Sequence, residues 1–156
     1  MPTTLSAILI ALLTMTASAA PVTVERTEGN LALTASVAKR IFAPGEPVSI
    51  RFSIRNAAGG ALGVMFTSGQ RFDFIVRRSR GDEVWRWSHD KAFIQVIQTA
   101  TLGPQEALAF SGTWDQRDFQ GRHVDPGAYE LIAVFMGRVG ERSGIALPPI
   151  GITIGR

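Results

Sequence analysis

Apolar and polar residues alternate over long stretches of this chain. In "VSIRFSIRN", Val48, Ile50, Phe52 and Ile54 alternate with Ser49, Arg51, Ser53 and Arg55. A period of two puts one set on a buried face and the other in water, the mark of a half-buried strand. "RFDFIVR" repeats the pattern, with Phe72, Phe74 and Val76 inward and Asp73 outward; "EVWRWS" sets Trp85 and Trp87 on one face with Arg86 turned away. "ALAFSGTW" aligns Leu108, Phe110, Gly112 and Trp114, and "IGITI" aligns Ile150, Ile152 and Ile154. In "AYELIAVFM" both faces are largely apolar, which predicts a central strand; "LALTASV" predicts an early strand that pairs with one of these.

Turn residues separate the runs, in "APGEP", "NAAGG", "SRGD", "LGPQE" and "DPGA". Pro44, Pro47 and Pro126 stand at strand entrances, where no ladder N–H is lost. Strands at this spacing, with no helical window beyond the N-terminus, predict an all-β antiparallel sandwich or barrel. Tyr129 follows a Pro-Gly turn into a strand. A hydroxyl bond from Tyr129 to backbone a few residues upstream would pin a crossover, which tilts the choice to an immunoglobulin-like, Greek-key β-sandwich.

The first twenty residues differ from the rest. An apolar stretch from Ile8 to Leu13 is followed by small residues, with Ala17-Ser18-Ala19 in the pattern signal peptidase reads, although no Lys or Arg precedes Ile8. The stretch is too short to span a bilayer, which takes about 20 residues. Residues 1–19 are thus expected to be a signal peptide cleaved near Ala19, residues 20–156 a single β-sandwich domain, and the mature protein secreted or periplasmic, with no membrane span. An apolar fraction of 46% is too high for a disordered chain. The absence of cysteine excludes thiol catalysis, cysteine-ligated zinc and a lipidated cysteine. A net charge of +3, spread along the chain rather than massed, gives weak attraction to anionic surfaces and no nucleic-acid site.

Candidate chemistry is sparse. His89 and His123 are the two histidines. Ser88-His89-Asp90 holds the three residue types of a serine triad, but neighbours on an extended chain point to opposite faces and cannot form one. No GxSxG, HExxH or phosphate-binding glycine loop occurs. Asp115, Asp118, His123 and Asp125 share a polar loop whose spacing fits no EF-hand, so it reads as a solvated loop rather than a calcium site. Neither a catalytic site, a metal nor a cofactor is expected. Trp85 and Trp87 read as core filling rather than as a ligand platform. Asp73 is expected on the surface, paired with Arg71, Arg86 or another neighbour, and Ser68-Gly69-Gln70 is expected to turn, with Gln70 bonding backbone there.

The blocks "SGQRFDF", "GDEVWRWSHDKAFIQ", "LGPQEALAFSGTW" and "GRHVDPGAYEL" resemble the BsuPI family of bacterial proteinase inhibitors. Its pattern falls on Ser68, Gly69, Gln70, Phe72, Asp73, Phe74, Gly81, Val84, Trp85, Trp87, Ser88, Phe93, Gln95, Trp114, Pro126, Gly127 and Tyr129, in order, over about Leu31 to Phe135. "LGPQE" departs from the family's Pro-Gly-Glu turn. The resemblance implies a non-catalytic domain that binds a serine protease of the subtilisin type through a loop, with Gln70, Asp73, Trp85, Trp87, Gln95, Trp114 and Tyr129 serving structure.

An inhibitor blocks a protease by laying a rigid segment in its cleft. Two loops qualify. "RRSRGD" offers Arg78 or Arg80 to an acidic pocket, against the plainer reading of a solvated hairpin tip; "DQRDFQGRHV" offers Phe119 to an apolar one, against packing on the sheet edge. The alternative is an envelope interaction or assembly module with no protease target, which would hold its protein partner by a sheet edge or loop surface.

Overall fold

The computed structural model describes residues 19–156. The expected leader, residues 1–19, lies outside the described residues except for Ala19. Twelve strands follow: β1 (Val22–Glu28), β2 (Leu31–Val37), β3 (Ile41–Phe42), β4 (Val48–Asn56), β5 (Leu62–Phe66), β6 (Phe72–Arg78), β7 (Glu83–Arg86), β8 (Gln98–Leu102), β9 (Ala107–Trp114), β10 (Gly127–Phe135), β11 (Ile145–Ala146) and β12 (Ile150–Ile154). Among the described residues no helix is long and apolar enough to cross a membrane.

Two sheets face each other, as the alternation predicted. One has the order β1-β2-β4-β9; the other runs β3-β12-β10-β6-β7, with β11 also on β10. Neighbours are antiparallel except for the short pair of β3 with β12. A third, two-stranded sheet joins β5 to β8. β10, apolar on both faces, sits in the middle of its sheet as expected. The early strand β2 lies between β1 and β4, in register from Leu31 against Asn56 to Val37 against Ile50.

The core lies between the sheets. β2 and β4 contribute Leu31, Leu33, Val37, Val48, Ile50, Phe52 and Ile54; the facing sheet contributes Phe74, Val76, Leu131, Phe135, Ile150 and Ile152, all buried. Fully burying a side chain of this size stabilises by about 1.5–3 kcal/mol each, which is how a chain without disulfides holds together. Phe52 meets Phe74 edge-on across the gap, with centroids 6.4 Å apart. Gly112 in β9 makes the close approach possible: a Cβ there would stand 2.9 Å from the Phe74 ring and 3.1 Å from Trp87.

Two buried polar side chains organise the loops. Asn56, at the end of β4, donates through Nδ2 to the carbonyls of Gly60, Leu102 and Gly103 at 2.8–3.1 Å, and its Oδ1 accepts from the Ala58 N–H. Gln116, just past β9, adopts φ 60° and fastens the Ala43–Glu46 turn. Its Oε1 accepts from the Gly45 N–H at 2.8 Å, and its Nε2 donates to the carbonyls of Ala43 and Glu46. Buried amides persist only when bonded in this way.

Candidate functional site

The segment that carries most of the sequence motifs, Thr67 to Gln98, is assembled around one carboxylate. Asp73 does not reach water, contrary to the expectation of an exposed ion pair; it is 2% exposed. Its Oδ2 accepts from Ser88 Oγ at 2.6 Å, Gln70 Nε2 at 3.1 Å and Arg86 Nη1 at 3.2 Å. Its Oδ1 accepts from the backbone N–H of Phe74 at 3.0 Å and of Ser88 at 3.1 Å. A carboxylate leaves water only when bonds replace its hydration, and five donors do so here. They come from the turn before β6, from β6 itself, from β7 and from the turn after β7, so Asp73 ties all four together. The Arg86 guanidinium, bonded first to Glu83 and then to Asp73, is held above the usual arginine range. Gln70 also donates to the Phe72 carbonyl, the backbone bond expected of it.

The tryptophans pack inward from this frame. Trp114 is fully buried and its Nε1 donates to the Arg117 carbonyl at 2.9 Å. Trp85 lies 6.5 Å from it and Tyr129 5.6 Å, centroid to centroid. Trp87, half-buried, stands between Phe72 at 4.3 Å and Phe93 at 6.0 Å. The Tyr129 hydroxyl donates to the Asp125 carbonyl at 2.6 Å, four residues upstream, the bond read from the Pro-Gly-x-Tyr turn.

The three side chains singled out as protease contacts stand in different settings. Arg80 is exposed at the β6–β7 hairpin tip with φ 58°, a left-handed conformation that favours glycine. Arg78 reaches toward Asp125, 4.0 Å away at the water-exposed end of the same hairpin. Phe119 is half-buried with its ring 4.5 Å from that of His89. Its loop is held from within: the Asp118 carboxylate accepts from the N–H groups of Gln120 and Arg122, both at 2.9 Å, and from the Arg122 side chain. The Arg122 backbone bond foremost keeps that carboxyl below its ordinary range. His123 is exposed and lines a surface hollow with Pro44, Gly45 and Gln116. Among the described residues no three His, Cys, Asp or Glu side chains gather to hold a metal.

Alternation did not reveal the stretch between the turn after β7 and β8. Residues 91–97 run without turn or bend and join no sheet. Gln95 belongs to this stretch; it is exposed, and its Nε2 donates to the Phe93 carbonyl at 3.3 Å. Ile94 is 69% exposed and Ile97 70%. The signal was present in the uncharged run "AFIQVIQ", whose apolar residues follow no single period.

A comparison with curated proteins found no match. Among solved structures, a β-glucosidase from Listeria innocua in complex with glucose is 11% identical with a TM-score of 0.47, over 81% of this chain and 16% of its own. Spo0M, a sporulation control protein from Bacillus subtilis, is 16% identical with a TM-score of 0.48, over 83% of this chain and 51% of its own. The chain thus spans a small part of the β-glucosidase and about half of Spo0M, and likenesses this distant carry no function across.

A family model is more informative. The BsuPI model, described as an intracellular proteinase inhibitor, matches residues 35–139. That description overturns the expectation of a secreted or periplasmic protein: a short apolar stretch ending in small residues resembles an export signal without being evidence of export. The matched span contains the Asp73 clasp, the three tryptophans and the Tyr129 corner, and on that match the chain belongs to the BsuPI family of intracellular proteinase inhibitors.

Proposed function

We propose that this chain is a non-catalytic inhibitor of a serine endopeptidase of the subtilisin type, acting as one domain over residues 20–156 and presenting an exposed segment to the peptidase cleft. The family match supports inhibition. The observation that carries the geometric part is the Asp73 clasp, because it fixes the segments at the sandwich rim to the sheets behind them. A segment that is already ordered loses little entropy on entering a cleft, so more of the contact energy appears as affinity.

The candidates Arg78, Arg80 and Phe119 differ in their fitness for this role. Arg80 stands free at a hairpin tip and suits an acidic pocket. Arg78 is drawn toward Asp125, and Phe119 would have to leave His89 to enter an apolar pocket. Arg80 is therefore the strongest of the three.

Titration of the purified full chain against subtilisin-type and trypsin-type serine endopeptidases, with a peptide substrate as reporter, tests the proposal. Inhibition at or below micromolar concentration is expected for at least one. Undiminished cleavage by every enzyme, together with a stable complex formed with a non-peptidase protein, would replace inhibition with a plain interaction role.

A further inference from the structure

Burial of the core leaves few large apolar side chains in water. Among the described residues these are Ile41, Ile94, Val96 and Ile97, so three of the four fall within four consecutive positions. Single exposed apolar residues are ordinary, but a cluster marks a contact surface. The stretch from Ala92 to Gln98 also carries no charge.

The backbone there is available as well. Among the described residues, no backbone N–H from Ala92 to Ile97 donates to a protein acceptor, and the sole main-chain bond to the stretch is from the Gly69 N–H to the Ile94 carbonyl at 2.9 Å. A segment outside any sheet with free N–H groups is what adds as a strand to another protein's edge.

Yet the stretch is not loose. The Lys91 Nζ donates to the Trp87 carbonyl and sits 4.6 Å over the Trp87 ring. The Phe93 ring packs on that of Trp87, with centroids 6.0 Å apart. Gly69 lies close enough that a Cβ would touch Ile94 Cγ1 at 3.4 Å. At the far end Arg71 bonds Gln98, where pairing with β5 begins. Ser88, at the near end, is held by Asp73. Motif residues Gly69, Asp73, Trp87, Ser88 and Phe93 thus converge on holding an apolar segment whose side chains at 94, 96 and 97 face water.

We infer that Ala92–Ile97 is the segment that enters the peptidase, with Ile94 and Ile97 filling apolar pockets, and that the target is an endopeptidase selective for apolar residues rather than for arginine. This rests on the inhibitor reading above. It sets the segment against Arg80, which lies past the opposite end of β6, about 20 Å away along the strand, so a single small cleft does not engage both.

The decisive comparison is of wild type, Ile94→Glu/Ile97→Glu and Arg80→Ala, with inhibition constants measured against an apolar-selective subtilisin-type enzyme and a trypsin-type enzyme. Both isoleucines are exposed, so thermal melting should be unchanged in the double variant. The inference expects inhibition of the subtilisin-type enzyme to weaken at least 100-fold in the double variant and less than threefold in Arg80→Ala. It also expects slower hydrogen exchange at Gln95, Val96 and Ile97 in the complex. Wild-type inhibition that survives in the double variant, or that is lost in Arg80→Ala, overturns the segment and leaves the inhibitor reading standing. Absence of inhibition by wild type overturns both. A wild-type dimer that the double variant converts to monomer, with inhibition intact, assigns the segment to self-association and likewise overturns the inference.

Discussion

β4 and the stretch from Thr67 to Gln98 are both built of strand-like sequence, but they are held in different ways. In β4 each apolar residue of the alternating set is buried and its neighbours face water or the sheet surface. The pairing is in register with β2 on one side and β9 on the other. Its stability comes from apolar area, which is non-directional and depends on period alone. The Thr67–Gln98 stretch contains only one full strand and one short one. Its turns on either side of those strands are set by directional bonds to Asp73, and residues 91–98 by contacts with Trp87, Gly69 and Arg71. The first region resists by cooperation with the whole core; the second should be able to loosen by itself. Phe52→Ala is the largest test of the first half of this contrast. Removing a fully buried ring that meets Phe74 and Phe110 should cost about 3–5 kcal/mol. Denaturant unfolding should shift as one cooperative transition, without selective opening around Ser88 to Ile97.

Asp73→Ala tests the other half. It takes an acceptor from all five donors, of which Arg86 keeps Glu83 and Gln70 keeps the Phe72 carbonyl while Ser88 Oγ and the N–H groups of Phe74 and Ser88 are left unpaired, for an expected loss of about 2–3 kcal/mol. The pattern matters more than the size. Amide exchange should accelerate at Ser88 and through residues 91–97 well before it does in β4. If β4 and the 91–97 stretch loosened equally, the clasp would be part of the common core and the contrast would fail. If Ala92–Ile97 is the inhibitory segment, the same variant should inhibit more weakly even at temperatures where it is fully folded, since disorder must then be removed on binding.

Gly112→Ala probes the seam between the two regions. Gly112 is paired with Ile50 of β4, yet the space over its Cα is filled by Phe74 and Trp87. A methyl group 2.9 Å from a ring that packs on both sides cannot be absorbed by a flexible side chain. A loss of about 1–3 kcal/mol is expected, with altered tryptophan fluorescence because Trp87 must shift. Gly63→Ala, where nothing lies within 4 Å, is the matched control and should leave fluorescence unchanged.

The same contrast explains what could be read from sequence. β4, β10 and β12 announced themselves because burial at period two is written in residue type. The Tyr129 corner was legible because a Pro-Gly turn before a tyrosine fixes both partners within a few residues. Asp73 misled because its residue type favours water, and its donors come from Gln70, Arg86 and Ser88, up to fifteen residues away. Asn56 and Gln116 were silent for the same reason: a buried amide looks like a surface amide until its carbonyl partners are in place. β1 escaped notice because, as a sheet edge, it is only half-buried on its better face. β5 and β8 alternate in burial but escaped because each is only five residues long and its residue types blur the contrast, with apolar Met65 on the outer face of β5 and polar Gln98 on the inner face of β8. The 91–97 segment was visible as composition but not as exposure, because apolar residues are ordinarily assigned to the core.

Acid should produce the smallest effect, and it falls outside both regions. Glu46 is held below its ordinary pKa chiefly by its bond to Lys39, and Asp118 chiefly by the Arg122 N–H. A carboxyl depressed in the folded state lends stability above its unfolded pKa, and that contribution is lost as pH falls through the folded one. As pH falls below the ordinary carboxylate range, then, the Ala43–Glu46 turn and the Asp115–Asp125 loop should loosen while amides of β4 stay protected. Salt separates the two groups. The Lys39–Glu46 pair, 2.6 Å long and at the surface, is screened by molar salt, so the Glu46 transition should shrink to what its bond from the Ala43 N–H sustains. Asp118 is bonded to backbone N–H groups of its own loop and should keep its acid transition in the same salt. Loss of both transitions on adding salt would show that the Asp118 loop is held by the Arg122 charge and not by its main chain.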